Sequence, residues 1–195
     1  MNFLVYTEGA QLRNGSMASE SVAFRKGDHV KIHHGPITGD MTNISFNPGY
    51  ISDQLNIGDE IQVDFNHVLF KVIEKNDDHY LAEVMSGGAI GSNKAADVNR
   101  DLNFEALTGK DFQAIEIGQA NGIKNFAMSF SNRPEDVMLM REKCGPDANI
   151  ICKIESPLGV RNLEGILEQT DEIFIDRGDL SRRVLIERIP FLQRG

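Results

Sequence analysis

Asn149-Ile150-Ile151-Cys152-Lys153-Ile154-Glu155 and Glu172-Ile173-Phe174-Ile175-Asp176-Arg177-Gly178-Asp179-Leu180 are apolar runs that each end in charge. Side chains alternate faces along a strand, so Ile151, Lys153 and Glu155 share one face while Ile150, Cys152 and Ile154 share the other. An amine and a carboxylate therefore project together from the end of the first run. The second run stops at a glycine-containing corner with two more carboxylates, Asp176 and Asp179. Between the runs, Ser156 to Gln169 reads as a helix, with Pro157 suited to its first turn and Val160, Leu163 and Leu167 as its buried stripe. A strand, helix, strand unit of this kind pairs its strands in parallel, and β/α barrels keep their chemistry at the C-terminal strand ends.

The same alternation extends upstream. Thr108 with Asp111 three residues later has the form of a capping box, although aspartate is a weaker choice than glutamate there. The helix it opens carries Phe112, Ile115 and Gln119-Ala120 at core spacing and stops at Asn121-Gly122. Ile123 to Phe130 reads as a buried strand. Pro134 opens another helix, with Val137, Met140 and Cys144 at helical spacing and Gly145 as its stop. Leu185 to Gln193 reads as a final helix. At the other end, Phe3 to Val5 reads as a short buried strand whose continuation reaches Asn14-Gly15, a hairpin signal.

Residues 14–98 have a different texture. Short runs rich in β-branched and aromatic residues, His29 to His33, Met41 to Phe46, Glu60 to Phe65, Val68 to Glu74 and His79 to Val84, are separated by Gly, Pro, Asn and Asp. That pattern predicts a small β-barrel or sandwich. All five histidines lie here. His33 and His34 are adjacent and would face opposite ways on a strand, so surface histidines are expected rather than a metal pair. The segment Ser86 to Ser92 is glycine-rich but lacks the spacing and lysine-hydroxyl pair of a phosphate loop, and is expected to be a hinge. The fold expected is α/β. Residues 1–13 and 99–195 would form a partial TIM-type β/α barrel, about half of the eight strands such a barrel needs, with residues 14–98 as an inserted all-β barrel.

A net charge of −9 and a pI of about 5.0 argue against a nucleic-acid partner. No apolar stretch approaches the length of a membrane span, so no membrane partner is expected. The first residues have no basic region and too short an apolar run for a signal peptide. Cys144 and Cys152 lack the close pairing of a zinc or redox motif and read as buried or free thiols. A cytoplasmic location follows from these as the expectation.

Several of these stretches resemble pyruvate kinase. Ile151-Cys152-Lys153-Ile154-Glu155 resembles the family's Ile-x-Lys-Ile-Glu strand, with Gly159-Val160 continuing it. Arg177-Gly178-Asp179-Leu180 resembles its Ala-Arg-Gly-Asp-Leu-Gly motif, and Glu187 to Gln193 its Glu-Lys-Val-Pro-x-x-Gln segment. Ser129-Phe130 with Glu135-Asp136-Val137 is similar to its Ser-Phe-x-Arg-x-x-x-Asp-Val strand end, and Leu107 to Asp111 to Leu-Thr-Glu-Lys-Asp. The β insertion resembles the family's lid domain.

The resemblance implies a phosphotransferase of glycolysis acting on phosphoenolpyruvate and pyruvate with ADP or ATP. It gives Lys153 the neutralisation of the phosphoryl group in flight, with Arg13 as a second catalytic cation. It gives Glu155 and Asp179 a divalent metal, Mg2+ or Mn2+, and gives the backbone around Gly178 and Asp179, together with Ser129, contact with substrate. Lys94 falls near the family's lid-hinge lysine and would be its nucleotide contact. Each has a plainer role open to it: a surface pair for Lys153 and Glu155, a structural contact for Arg13, a strand closure for Ser129. Tyr6 and Glu8 replace the family's aspartate and lysine or glutamine, which argues against a K+ site. Asp176 replaces an alanine and Ser181 a glycine. The family's first two barrel strands, its later strands and its C-terminal domain have no counterpart in this sequence, so a homo-oligomer, or a partner chain supplying the missing half-barrel, is expected. Two other readings stay open: a metal-dependent pyruvate-enolate enzyme of aldolase or lyase type, and a non-catalytic partner-binding relative.

Overall fold

The computed structural model describes residues 3–9, 11–64 and 67–180. Strand β1 (Leu4–Tyr6) is followed by β2 (Arg13–Asn14), β3 (Val22–Phe24), β4 (His29–His33), β5 (Asn43–Asn47), β6 (Glu60–Val63), β7 (Val68–Lys75), β8 (His79–Ser86), β9 (Gly88–Ile90) and β10 (Ala96–Val98). Then come α1 (Gly109–Ala120), β11 (Asn125–Met128), α2 (Pro134–Cys144), β12 (Asn149–Ile154), α3 (Pro157–Arg161), α4 (Leu163–Leu167), β13 (Glu172–Ile175) and α5 (Arg177–Leu180). The chain divides into two units, Met1–Ala10 with Glu105–Gly195, and Gln11–Phe104. The fold is mixed α/β. The expected final helix from Leu185 to Gln193 lies outside the described residues.

In the first unit the four strands form one parallel sheet in the order β1-β11-β12-β13. The two-residue period predicted for the decisive stretch is the one observed: Ile150, Cys152 and Ile154 are buried, while Ile151 and Lys153 alternate with them at intermediate exposure. The buried positions pack with Phe126, Met128, Ile115, Val137, Met140 and Ile166 into one core cluster. The register sets Tyr6, Ala127, Ile151 and Glu172 in a row on the opposite face, with Lys153 beside Phe174 in the next. There Tyr6 and Phe174 are 60% and 54% exposed.

Local chemistry sets the helix ends. Thr108 and Asp111 close both halves of a capping box at the start of α1, and Gly122, at φ +70°, lies just past its end. Pro134 opens α2, and Gly145 stops it at φ +88°. The single helix expected over Ser156 to Gln169 is instead two short ones. Asn162 interrupts them, its side-chain Nδ2 donating to the Asn132 carbonyl at 2.8 Å. The break resets the helical phase, so Ile166 is buried and the expected core residue Leu167 is exposed.

The second unit contains a seven-stranded sheet in the order β10-β6-β7-β8-β4-β5-β2, antiparallel except where β4 meets β5. A bridge between Arg13 and Ala95 ties one end to the other, giving a nearly closed, barrel-like sheet. Its interior is a separate apolar cluster that includes Ile32, Ile44, Phe70, Val72 and Tyr80. Leu12 and Leu102 belong to that cluster and Phe104 packs against it, which accounts for where the division falls.

Two sequence readings in this unit are corrected. Asn14-Gly15 is not a hairpin turn: β2 pairs with the distant β5. Asn14 is buried, donating to the Gly91 carbonyl at 2.9 Å and accepting from the Lys94 N–H at 2.6 Å. The segment Ser86 to Ser92 is not a hinge, because Gly88–Ile90 is a strand paired with β3 and the chain continues into β10. Its glycine at position 87 is demanded by packing, since a Cβ there would stand 2.7 Å from the Phe24 carbonyl oxygen. Among the described residues no helix is long and apolar enough to cross a membrane.

Candidate functional site

The C-terminal ends of β12 and β13 bring Lys153, Glu155, Asp176 and Asp179 together. The ladder continues one residue past β13, where the Asp176 N–H donates to the Ile154 carbonyl at 3.1 Å. That bond pins the corner beginning at Asp176 next to Glu155. The carboxylates of Glu155, Asp176 and Asp179 each offer an oxygen within 4.8 Å of the others, the one grouping of this kind among the described residues.

Lys153 Nζ sits among these acids, 2.6 Å from Glu155 Oε1 and 3.5 Å from Asp176 Oδ2. Glu155 is 4% exposed. Its second oxygen, Oε2, accepts the Phe130 N–H at 2.7 Å. Phe130 adopts φ +50°, a left-handed conformation unfavourable for a non-glycine residue, and this aims its N–H at the carboxylate. Burial raises the Glu155 pKa above the usual carboxylate value, against the opposing pull of Lys153 and the Phe130 N–H. Burial also works against the Lys153 charge. The Glu155 and Asp176 carboxylates outweigh it and hold the ammonium above its ordinary pKa. Asp176 is likewise opposed by burial but is held below the usual range by the Gly178 N–H, Lys153 and the Asp179 N–H.

Ser129 stands at the end of β11, but its groups are engaged. Its hydroxyl donates to the Thr7 carbonyl at 2.8 Å and its N–H to Thr7 Oγ1 at 3.0 Å, tying β11 to the end of β1. The Gly178 N–H donates to Asp176 Oδ1 at 3.0 Å. Arg13 and Lys94 belong to the second unit. Arg13 donates to the Asn93 carbonyl at 2.9 Å, and Lys94 pairs with Asp64 at 3.6 Å. Tyr6 is exposed, and Glu8 pairs with Lys110 at 3.3 Å. His33 bonds Asn43 and His34 bonds Asp53, so the adjacent histidines do not converge. Both cysteines are buried free thiols, and burial pushes the Cys144 thiol up to about 11, so it is not a nucleophile at neutral pH. The segment Glu187 to Gln193 and Ser181 lie outside the described residues.

Asp176 is the residue that sequence reading underused. It was visible as a charge where the resembling motif has alanine, but its contact with Lys153 depends on the parallel register of β12 and β13, in which Lys153 faces Phe174 and Ile154 faces Ile175.

Comparison with known proteins matches the family model "Pyruvate kinase, barrel domain" over residues 1–195. The pyruvate kinase of Thermococcus litoralis is 33% identical over 190 residues, covering 95% of this chain and 40% of that protein. Those of Thermotoga maritima and Clostridium perfringens are 30% and 32% identical, each covering 98% of this chain and 42% of the relative. The chain thus spans about two fifths of the length of these curated relatives. With the barrel-domain model matched from the first residue to the last, the chain belongs to the pyruvate kinase family.

Proposed function

We propose that the chain carries the phosphoryl-transfer site of a pyruvate-kinase-like phosphotransferase. In this reading the phosphoryl group passes between the oxygen of phosphoenolpyruvate and the terminal phosphate of a nucleoside diphosphate, and the enol left behind takes up a proton to become pyruvate. The parallel sheet would be part of a TIM-type β/α barrel, and the second unit its inserted lid. What carries the reading is one ammonium and three carboxylates at the ends of two neighbouring parallel strands in a chain of this family.

The donor set fits a divalent ion. Carboxylate oxygens suit Mg2+ or Mn2+, and the Lys153 ammonium stands in for positive charge among them. Glu155 and Asp179 would hold the ion. Bound there, it would supply Lewis-acid neutralisation of phosphate and enolate oxygens. Lys153, kept protonated by its two carboxylate neighbours, brings positive charge to the phosphoryl group in flight, since this chemistry needs charge neutralisation and positioning above all. Ser129 serves by tying β11 to the end of β1, which steadies the turn at Phe130. Arg13 and Lys94 are engaged within the second unit and are not needed for this step. An exposed Tyr6 and a Glu8 paired with Lys110 do not fit a K+ site, and no step is routed through one.

The sheet ends at β1 and β13 among the described residues, with Tyr6 and Phe174 uncovered. This supports a working enzyme in which further strands close the barrel, from the same polypeptide, a second copy or another chain.

The test is pyruvate release from phosphoenolpyruvate, ADP and Mg2+, followed with the protein purified from its own cells with any companion chain. Lys153→Ala is expected to lower the rate by about 1000-fold. An unchanged rate sinks the assignment. Release of pyruvate without phosphorylated nucleotide points to enolate chemistry, and absence of both activity and metal binding points to a non-catalytic relative.

A further inference from the structure

We infer that Thr7, just past the end of β1, is a positioning residue for Glu155 and acts through Ser129 and the turn at Phe130. The inference rests on the metal site proposed above, because what Thr7 positions is a ligand of that site. Strands β1 and β11 pair in parallel up to Tyr6 and Ala127, and the Thr7 N–H continues the ladder by donating to the Ala127 carbonyl at 3.0 Å. The next bond of a parallel ladder would run from the Ser129 N–H to the Thr7 carbonyl. Two side-chain bonds replace it. The Ser129 N–H donates to Thr7 Oγ1 at 3.0 Å, and the Ser129 hydroxyl donates to the Thr7 carbonyl at 2.8 Å. Both residues are buried, so water does not readily stand in for either bond.

The effect reaches Glu155 one residue further on. Three successive N–H groups leave β11 for different partners: that of Ser129 for Thr7 Oγ1, that of Phe130 for Glu155 Oε2 at 2.7 Å, and that of Ser131 for the Lys153 carbonyl at 3.1 Å. The middle residue has φ +50°, a left-handed conformation that persists only where its surroundings hold it. Its two neighbours do so, one anchored to the backbone of β12 and the other to the Thr7 side chain. Thr7 is itself fixed, since the following Glu8 N–H donates to the buried Asp111 carboxylate at 2.6 Å, and a Cβ at Gly9 would stand 2.8 Å from the Ser129 carbonyl oxygen. With Oε2 held by Phe130, Glu155 keeps Oε1 on Lys153 Nζ at 2.6 Å. Without Thr7 Oγ1 the Ser129 N–H would fall back on the Thr7 carbonyl and carry the Phe130 N–H away from the carboxylate. Loss of a group that orients a metal ligand in this way lowers affinity by about 10- to 100-fold.

Thr7→Val keeps the shape of the side chain and removes its oxygen, while Thr7→Ser keeps the oxygen. Two measurements on the full chain, with any chain that co-purifies, separate positioning from general stability: the amide proton shift of Phe130 by NMR, and Mn2+ affinity by calorimetry without phosphoenolpyruvate or nucleotide. An N–H bonded to a carboxylate is displaced downfield, and Glu155→Gln identifies that contribution. The expected result is an upfield move of the Phe130 amide in Thr7→Val with a Mn2+ dissociation constant raised by about tenfold, both restored in Thr7→Ser. A Phe130 amide that stays in place in Thr7→Val overturns the inference, as does undiminished Mn2+ affinity in that variant where wild type binds the ion. If wild type binds no Mn2+ while the amide responds as expected, Thr7 still positions Glu155 and it is the metal reading that fails. Should Thr7→Val not fold, wild type decides. A Ser129 amide protected from hydrogen exchange, with no scalar coupling to the Thr7 carbonyl carbon, supports the side-chain bond, and a coupling to that carbonyl or rapid exchange overturns it.

Discussion

Lys153 Nζ lies 2.6 Å from Glu155 Oε1, and the glutamate's side chain is almost entirely removed from solvent. Such a pair is held by mutual need, because removing one partner strands the other charge in a poorly solvated place. Lys153→Met should therefore destabilise the protein by about 3 kcal/mol at neutral pH, read as a shift in urea unfolding. The sign of the pH dependence follows from the Glu155 carboxyl, whose folded pKa is already raised and rises further without the ammonium. A raised group contributes stability below its unfolded pKa, about 4.3, and loses that contribution as pH climbs through the folded value. The deficit of the variant should be small near about pH 5 and grow toward about pH 8. A deficit independent of pH would mean that the buried carboxylate does not depend on its lysine.

Asp111 gives a second prediction. Its Oδ2 accepts the Thr108 N–H at 2.8 Å, the ordinary capping-box bond, but its Oδ1 also accepts the Glu8 N–H at 2.6 Å. The side chain is thus shared between the start of α1 and the segment after β1, and it is 1% exposed. Glutamate is the preferred third residue of a capping box, so local rules favour Asp111→Glu. The longer side chain cannot keep both bonds in the same space. Asp111→Glu is expected to lower stability by about 1–3 kcal/mol, by thermal or urea unfolding, from the stranded N–H and the crowding. Equal or greater stability would reduce Asp111 to a simple cap.

Asp111 also marks how far the sequence could be read. Its local role was legible, as were α1, α2, β11 and β12, because each announces itself within a dozen residues through period, cap and stop. The pairing of Lys153 with Glu155 was legible too, since both lie two apart on one strand. What was hidden depends on partners far along the chain. The Glu8 N–H lies 103 residues from Asp111, and Asn14 reaches Gly91 across 77. Asn-Gly therefore looked like a turn when it was a buried clip, and Ser86 to Ser92 looked like a hinge when its glycines were making room for other strands. The broken helix at Asn162 follows the same logic, because its competing acceptor is a carbonyl of the segment before α2. Asp176 was read as a corner carboxylate in place of the family's alanine, and its contact with Lys153 depended on the register of the two strands.

Glycines at the starts of two helices supply a paired prediction with opposite signs. Gly109 opens α1 with open space where a Cβ would go, whereas at Gly159, in α3, a Cβ would stand 2.6 Å from the Ser131 carbonyl oxygen. Alanine is the better helix former by about 1 kcal/mol and also reduces the freedom of the unfolded chain. Gly109→Ala should therefore stabilise by up to about 1 kcal/mol. At Gly159 the same gain meets a backbone oxygen that cannot rotate away, and overpacking of this kind costs about 1–3 kcal/mol. The affected segment follows directly from Phe130, whose N–H holds Glu155, so displacement there reaches the acids. Gly159→Ala is expected to lower stability and to weaken Mn2+ binding together, while Gly109→Ala leaves Mn2+ binding unchanged. Stabilisation by both substitutions would show that the Ser131 segment yields freely and that the position of Phe130 is not set by the close approach of α3.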